Sequence, residues 1–236
     1  MKRLRIKIYA DGAVLSDMLE AYRSGMVHGF TTNPTLMKKA GITDYEGFAR
    51  EVIHHIPDYP ISFEVFSDDF DTMEKEAEKI HSWGENVYIK IPITNSIGES
   101  SIPLIRRLSN RGMKLNITAI LTLDQVEETV DAFAAGTKNI VSVFAGRIAD
   151  TGVDPIPTMK VAAEICQRKE GTELLWASSR ELINIMQAEE CGCSIITCTP
   201  EILKKLENVG KDLKAISLDT VKMFHRDIQE LGYSII

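Results

Sequence analysis

The chain alternates strand-like and helix-like segments from one end to the other, and this rhythm limits its possible folds more than any other feature. Residues 4–10 read as a strand, 16–22 as an amphipathic helix and 29–32 as a second strand. Thr43-Asp44-Tyr45-Glu46 has the form of a capping box, and Phe48, Val52, Ile53 and Ile56 follow at helical spacing. A third strand covers 61–66. Met73, Ala77 and Ile80 line the helix after it, which Gly84 can end. The apolar run 87–94 is the fourth strand, and Pro103, Ile105 and Leu108 belong to a helix stopped at Gly112. After strand 115–121, a second capping box, Thr122-Leu123-Asp124-Gln125, opens a helix that buries Val126, Val130 and Phe133. Residues 140–144, 173–177 and 194–198 complete the strands. Helices are predicted over 157–168 and 179–189 and after the Thr199-Pro200 start signal. One more, 217–231, is capped by Ser217 and presents Val221, Phe224, Ile228 and Leu231 on one side.

Eight such units, of roughly 20 to 35 residues each, with no linker-like break between them, predict one α/β domain over 1–236: a (β/α)8 TIM barrel with an extra C-terminal helix. At 236 residues, 44% of them hydrophobic, the chain can bury the core that this requires. No G-x-G-x-x-G follows the first strand, which weakens an open dinucleotide-binding sheet. A barrel of this kind does its chemistry at the C-terminal ends of its strands.

The fourth strand, Val87-Tyr88-Ile89-Lys90-Ile91-Pro92-Ile93-Thr94, holds a single lysine among β-branched and apolar residues. A buried ammonium is costly, so such a lysine pairs with a carboxylate, snorkels to water or loses its proton. Only the last state is a nucleophile, able to attack a carbonyl and form a Schiff base. The plainer alternative is a strand-end lysine whose stem packs and whose amine reaches water.

The other strand ends are also polar: Asp11, Thr32-Asn33-Pro34, Glu64, Asn116 with Thr118, Ser142 with Arg147, and Ser178 with Arg180 just beyond. Each has an ordinary explanation alone, since Asp11 can cap a turn, Asn33 can start a loop and Arg147 can pair with Asp150. Together they surround a lysine with carboxylates, amides and hydroxyls, a set suited to a carbonyl group and a polyol.

Composition excludes other roles. With 27 basic and 34 acidic residues the formal net charge is −7, which disfavours a general nucleic-acid or membrane-surface binder. No apolar run is long enough for a membrane span, and Met1-Lys2-Arg3-Leu4-Arg5 leads into a short strand rather than a secretory segment, so the cytoplasm is the expected location. Cys166, Cys191, Cys193 and Cys198 lack C-x-x-C spacing and read as packed, reduced thiols. The histidines, His28, His54, His55, His81 and His225, are scattered, so no metal site is expected.

Tyr9-Ala10-Asp11, Gly29-Phe30-Thr31-Thr32-Asn33-Pro34-Thr35, Tyr88-Ile89-Lys90-Ile91-Pro92, Asn116-Ile117-Thr118 and Ser142-Val143-Phe144-Ala145-Gly146-Arg147-Ile148-Ala149-Asp150 occur in an order that resembles the transaldolase family. The likeness covers nearly the whole chain. Its short length places it with the compact branch that includes transaldolases and fructose-6-phosphate aldolases. The resemblance implies a metal-free and cofactor-free class I mechanism on sugar phosphates. It assigns the Schiff base to Lys90, the base for C3–C4 cleavage to Asp11, and a proton-relaying water to Glu64 and Thr118. By the same resemblance Thr32, Asn33, Asn116, Ser142 and Phe144 surround the retained dihydroxyacetone unit, while Arg147, Ser178 and Arg180 hold the distal phosphate. Ser179, where the family commonly has an aromatic residue, and Gly12, where it has threonine, depart from the pattern.

Within that branch, the aldolases resemble a site with glutamine and tyrosine where this chain has Glu64 and Phe144. Transfer of a three-carbon ketol unit is therefore expected, with aldol cleavage releasing free dihydroxyacetone as the alternative and a non-catalytic sugar-phosphate-binding barrel as a remote one. The branch also implies a homo-oligomer, a decamer or pentamer, with the 217–231 helix reaching a neighbour; packing of that helix on its own barrel is the plainer expectation.

Overall fold

The computed structural model describes residues 4–235, so the expectation drawn from Met1-Lys2-Arg3 lies partly outside the described residues. Eight parallel strands close a barrel in sequence order: β1 (Lys7–Asp11), β2 (Gly29–Thr31), β3 (Ile61–Glu64), β4 (Val87–Pro92), β5 (Leu115–Ile120), β6 (Asn139–Val143), β7 (Thr172–Trp176) and β8 (Ile195–Cys198). The ring closes through β1 and β8, where Lys7, Ile8, Tyr9 and Ala10 pair with Ile195, Ile196, Thr197 and Cys198. The fold is the (β/α)8 barrel expected from the alternation.

The helices around it are α1 (Leu15–Ser24), α2 (Pro34–Lys39), α3 (Tyr45–His55), α4 (Phe70–His81), α5 (Ile102–Asn110), α6 (Leu123–Ala132), α7 (Ala145–Asp150), α8 (Ile156–Gln167), α9 (Ile183–Glu190), α10 (Pro200–Leu203) and α11 (Leu213–Leu231). The capping box at Thr122 and Gln125 forms as expected. The one expected at Thr43 does not: Asp44 is the cap, accepting from the Gly47 amide at 2.9 Å, and Glu46 pairs with Arg50 and Lys79 instead. An aspartate one residue later outcompetes the threonine for the same orphan amides. Helix α11 likewise begins before Ser217, because Asp212 accepts from the amides of Lys214 and Ala215. Helix α9 begins later than position 179. The amides of Arg180 and Glu181 both donate to Asn184 Oδ1, which holds 180–182 in a turn ahead of the helix.

Side chains alternate across the sheet and divide the core in two. Outward-facing residues such as Phe30, Ile61, Ile89, Ile117, Val141 and Trp176 pack beneath the helices. Inside the ring, Tyr9, Tyr88, Ile140, Leu175, Ala177 and Ile195 form a separate apolar plug. Gly29 makes room for it, since a Cβ there would come within 2.6 Å of the Tyr9 ring on the paired strand. Two residues further along most of these strands, on the same inner side, stand Asp11, Thr31, Lys90, Ser142 and Thr197. The barrel is thus apolar below and polar at its C-terminal mouth.

Candidate active site

Lys90 lies in that upper layer with only 6% of its surface exposed. Its Nζ is 3.2 Å from Glu64 Oε2 and donates to the Thr32 carbonyl at 3.0 Å. Of the fates open to a buried lysine, this structure shows the carboxylate pair. Register makes the pairing direct, because Glu64 and Lys90 are opposite partners on β3 and β4. Tyr45 Oη donates to the Glu64 carbonyl at 2.9 Å and fixes the end of β3 from outside the barrel.

Asp11 ends β1 and accepts from Thr31 Oγ1 at 2.7 Å. Burial pushes its carboxyl above the ordinary range, against the opposing pull of Lys90 and the Thr31 hydrogen bond. Across the mouth, Asn116 Nδ2 donates to Ser62 Oγ at 2.9 Å and Ser142 Oγ donates to Asn116 Oδ1 at 2.6 Å. Thr118 follows Asn116 on the same face, and its hydroxyl is buried without a hydrogen bond among the described residues. A bulge comes next: pairing with β6 shifts register between Ile117 and Ile120, and Ala119 takes φ 61°. A left-handed alanine costs on the order of 1–3 kcal/mol, a strain typical of strands bent beside a site.

Phe144, Arg147, Ser178 and Arg180 come from α7, its cap and the loop after β7. Phe144 caps α7 and packs against the inner plug, and the Arg147 guanidinium lies 5.6 Å from its ring centroid. Ser178 adopts φ 62°, a left-handed turn that carries the chain from β7 toward Arg180. Gly146 fits under this turn, where an added Cβ would overlap the Ser178 carbonyl oxygen. The ion pair to Asp150 considered for Arg147 is made by Arg180, with Nε 3.2 Å from Oδ1 and a second contact to Oδ2. Arg180 holds the Asp150 carboxyl below its usual range.

Most residues singled out in the sequence therefore converge on one mouth. Thr32 contacts Lys90 through its carbonyl, while its hydroxyl donates to the Ser62 carbonyl. Asn33 Oδ1 caps α2 by accepting from the Leu36 amide at 3.0 Å, which leaves its amide nitrogen for other partners. The sequence gives no separate reason to single out Thr31, Thr197 or Ser62, and it pairs Asp150 with Arg147 rather than with Arg180. Alternation is the signal that places Thr31, which shares the inner face with Gly29. Clefts of about 800 Å³, bordered by Glu64, Tyr45 and Phe66, and about 420 Å³, bordered by Asp11, Gly12 and Leu203, flank the mouth. Among the described residues, no three His, Cys, Asp or Glu side chains gather as a metal site, and no helix is long and apolar enough to cross a membrane.

Residues 8–235 match the family model described as transaldolase/fructose-6-phosphate aldolase. The chain is 34% identical over 204 residues to a probable transaldolase of Thermoplasma volcanium, covering 85% of this chain and 87% of that one. It is 31% identical over 232 residues to a probable transaldolase of Rhizorhabdus wittichii, covering 98% and 100%. Among solved structures, it is similar in fold to a 3-hexulose-6-phosphate synthase from Salmonella typhimurium, with TM-score 0.57, 11% identity and 83% and 89% coverage. A 3-keto-L-gulonate-6-phosphate decarboxylase from Vibrio cholerae is similar at TM-score 0.55, 14% identity and 84% and 89% coverage.

Proposed function

The chain belongs to the transaldolase/fructose-6-phosphate aldolase family and is an enzyme of that type, and from this premise we propose that it is a class I transaldolase working through a Schiff base on Lys90. The observation that carries this reading is the buried Lys90–Glu64 pair in the polar layer at the mouth, with Asp11 in the same layer. Glu64 is the nearest acceptor for the proton that Lys90 must give up before its nitrogen can attack the C2 carbonyl of a ketose phosphate. The carbinolamine then loses water, helped by a proton relayed through a water between Glu64 and the unpaired Thr118 hydroxyl. In the resulting iminium, Asp11 takes the C4 hydroxyl proton. The C3–C4 electron pair moves onto the iminium carbon skeleton as the first aldehyde departs. The enamine left on Lys90 adds to a second aldehyde, an aldose phosphate, and hydrolysis frees the lysine.

Asn33 and Asn116 have donors to spare for the hydroxyls of the retained three-carbon unit, with Ser142 holding Asn116 in place. Arg147, Ser178 and Arg180 are the proposed holders of a distal phosphate, because a guanidinium fork suits that anion. Phe144 has no hydroxyl with which to order a water that would protonate the enamine, which favours transfer over release of free dihydroxyacetone. The iminium is the electron sink, so this route calls for no metal or cofactor. The same reading places the enzyme in the cytoplasm.

Helix α11 buries none of its residues in this chain, and Leu218, Val221, Phe224, Ile228 and Leu231 are all exposed. Such a face needs a partner, and it supports a homo-oligomer, a pentamer or decamer, joined in part by this helix. The chemistry is tested by borohydride reduction with a ketose phosphate and peptide mass mapping. A stable adduct on Lys90 is expected; no adduct with any ketose phosphate, under conditions that trap a control enzyme, removes the Schiff-base reading.

A further inference from the structure

Asp11 is one end of a row of hydroxyls that runs along the barrel wall. Thr31 Oγ1 donates to Asp11 Oδ1 at 2.7 Å and lies 2.6 Å from Thr197 Oγ1. The two threonines come from β2 and β8, the strands on either side of β1, and are 3% and 6% exposed. A hydroxyl has one proton to donate. With the Thr31 proton committed to the carboxylate, the bond between the threonines runs only from Thr197 to Thr31. The row is directed, Thr197 to Thr31 to Asp11. Its far end is anchored as well, because Ser179 Oγ donates to the Thr197 carbonyl at 2.8 Å.

We infer that Thr31 and Thr197 are positioning residues for proton transfer by Asp11: Thr31 occupies one carboxylate oxygen and sets the carboxyl plane, and Thr197 locks the Thr31 hydroxyl in the donating rotamer. This rests on the reading of Asp11 as the base. Oδ2 makes no hydrogen bond among the described residues and is the oxygen left to face the sugar. In the step itself the C4 hydroxyl proton goes to Oδ2, the C4 oxygen becomes the aldehyde carbonyl, and the C3–C4 pair becomes the enamine double bond. No proton passes along the row. Its part is to favour the ionised carboxylate beforehand and to keep Oδ1 satisfied throughout.

The need for such a row follows from burial. Asp11 sits where desolvation opposes its charge, and Lys90 from β4 and the Thr31 hydrogen bond are the contributions that favour it. Cys198 on β8 also feels the Asp11 charge, and Glu64 on β3 competes for Lys90. Asp17 on α1, Lys39 on α2 and Glu201 on α10 line the cleft that Asp11 borders. Once Lys90 becomes an iminium bound to substrate, Thr31 is the neutral donor still fixed on the carboxylate.

Thr31→Val keeps the shape and removes the donor. It should lower kcat by ~10–100-fold, the scale for a hydrogen bond to a charged group, with a much smaller change in KM. The acidic limb of the kcat–pH profile should move to higher pH, because the ionised form has lost its donor. Borohydride should still trap the Lys90 adduct, and Thr31→Ser should restore both rate and limb. Thr197→Val should show a weaker version, and the double valine variant should be no slower than Thr31→Val alone, since Thr197 acts through Thr31. An unchanged rate and acidic limb in Thr31→Val, or additive losses in the double variant, would overturn the inference. Asp11→Asn, measured alongside, separates the failures. If it is slow while Thr31→Val is not, only the row is lost; if neither is slow, the reading of Asp11 as base falls and the row with it.

Discussion

Replacing Lys90 with methionine should remove the borohydride adduct and leave a barrel that is folded but measurably weaker. The side chains of Lys90 and Glu64 are 8% and 15% exposed, so the substitution strands a nearly buried carboxylate. Breaking a buried pair by removing one partner typically costs ~3–5 kcal/mol. Glu64 keeps some contact with water, which places the expected loss at the lower end, about 3 kcal/mol. In a chain of this size each kcal/mol moves Tm by ~2–4 °C, so a fall of ~6–12 °C is expected. Adding Glu64→Gln to Lys90→Met removes the uncompensated charge and should recover most of the loss. Urea titration of the wild type and the single and double variants measures all of this. A single variant as stable as the wild type, or a double variant no better than the single, would refute the claim that the pair is an energetic unit.

Four other variants have expected outcomes. Asp11→Asn should form the Lys90 adduct yet slow C3–C4 cleavage by ~10²–10⁴-fold in single-turnover assays. It should also unfold at higher denaturant at neutral pH. Burial raises the Asp11 carboxyl in the folded state, so as pH climbs through the ordinary carboxylate range the unfolded chain ionises first and stability is lost, whereas asparagine gives up no proton; the two proteins should converge at low pH. Phe144→Tyr should raise the share of free dihydroxyacetone among the products when an acceptor aldehyde is present, and an unchanged partition would mean that Phe144 does not set it. Gly146→Ala should lower stability by ~1–3 kcal/mol and weaken phosphorylated substrates more than unphosphorylated ones, because the new methyl group displaces the Ser178 turn. A chain ending at Asn208 should keep its barrel and lose assembly mass in light scattering, since no residue of α11 is buried in this chain.

The barrel was legible because its evidence is periodic. A strand such as Val87–Pro92 announces itself by composition, and the Thr122 box marks a helix start whatever lies around it. Position at the barrel mouth was legible where a residue was unusual for its place, as with Lys90 in an apolar strand, or where a polar residue closed a strand, as with Asp11. What escaped depended on neighbours distant in sequence. Thr31 matters through Asp11 and Thr197, which only strand order and register bring beside it. Asp150 could be assigned to Arg147 from proximity in sequence, but the left-handed turn at Ser178 carries Arg180 to it first. The short helices Pro34–Lys39 and Ala145–Asp150 were missed for a related reason. At six residues each they have too few turns to produce an apolar period.

The apolar plug beneath the lysine has a kinetic consequence. Tyr9, Tyr88, Ile140, Leu175 and Ile195 fill the lower half of the ring and close it from below, beneath the layer that holds Lys90. In the proposed transfer reaction both the departing aldehyde and the incoming one would therefore use the C-terminal mouth. The second cannot slip in from below while the first still occupies the throat. The covalent three-carbon fragment proposed on Lys90 would be held on that floor between the two visits. On the proposed mechanism, ping-pong behaviour, with parallel double-reciprocal lines and no ternary complex, would follow from the barrel's closed base as much as from the chemistry at its lysine.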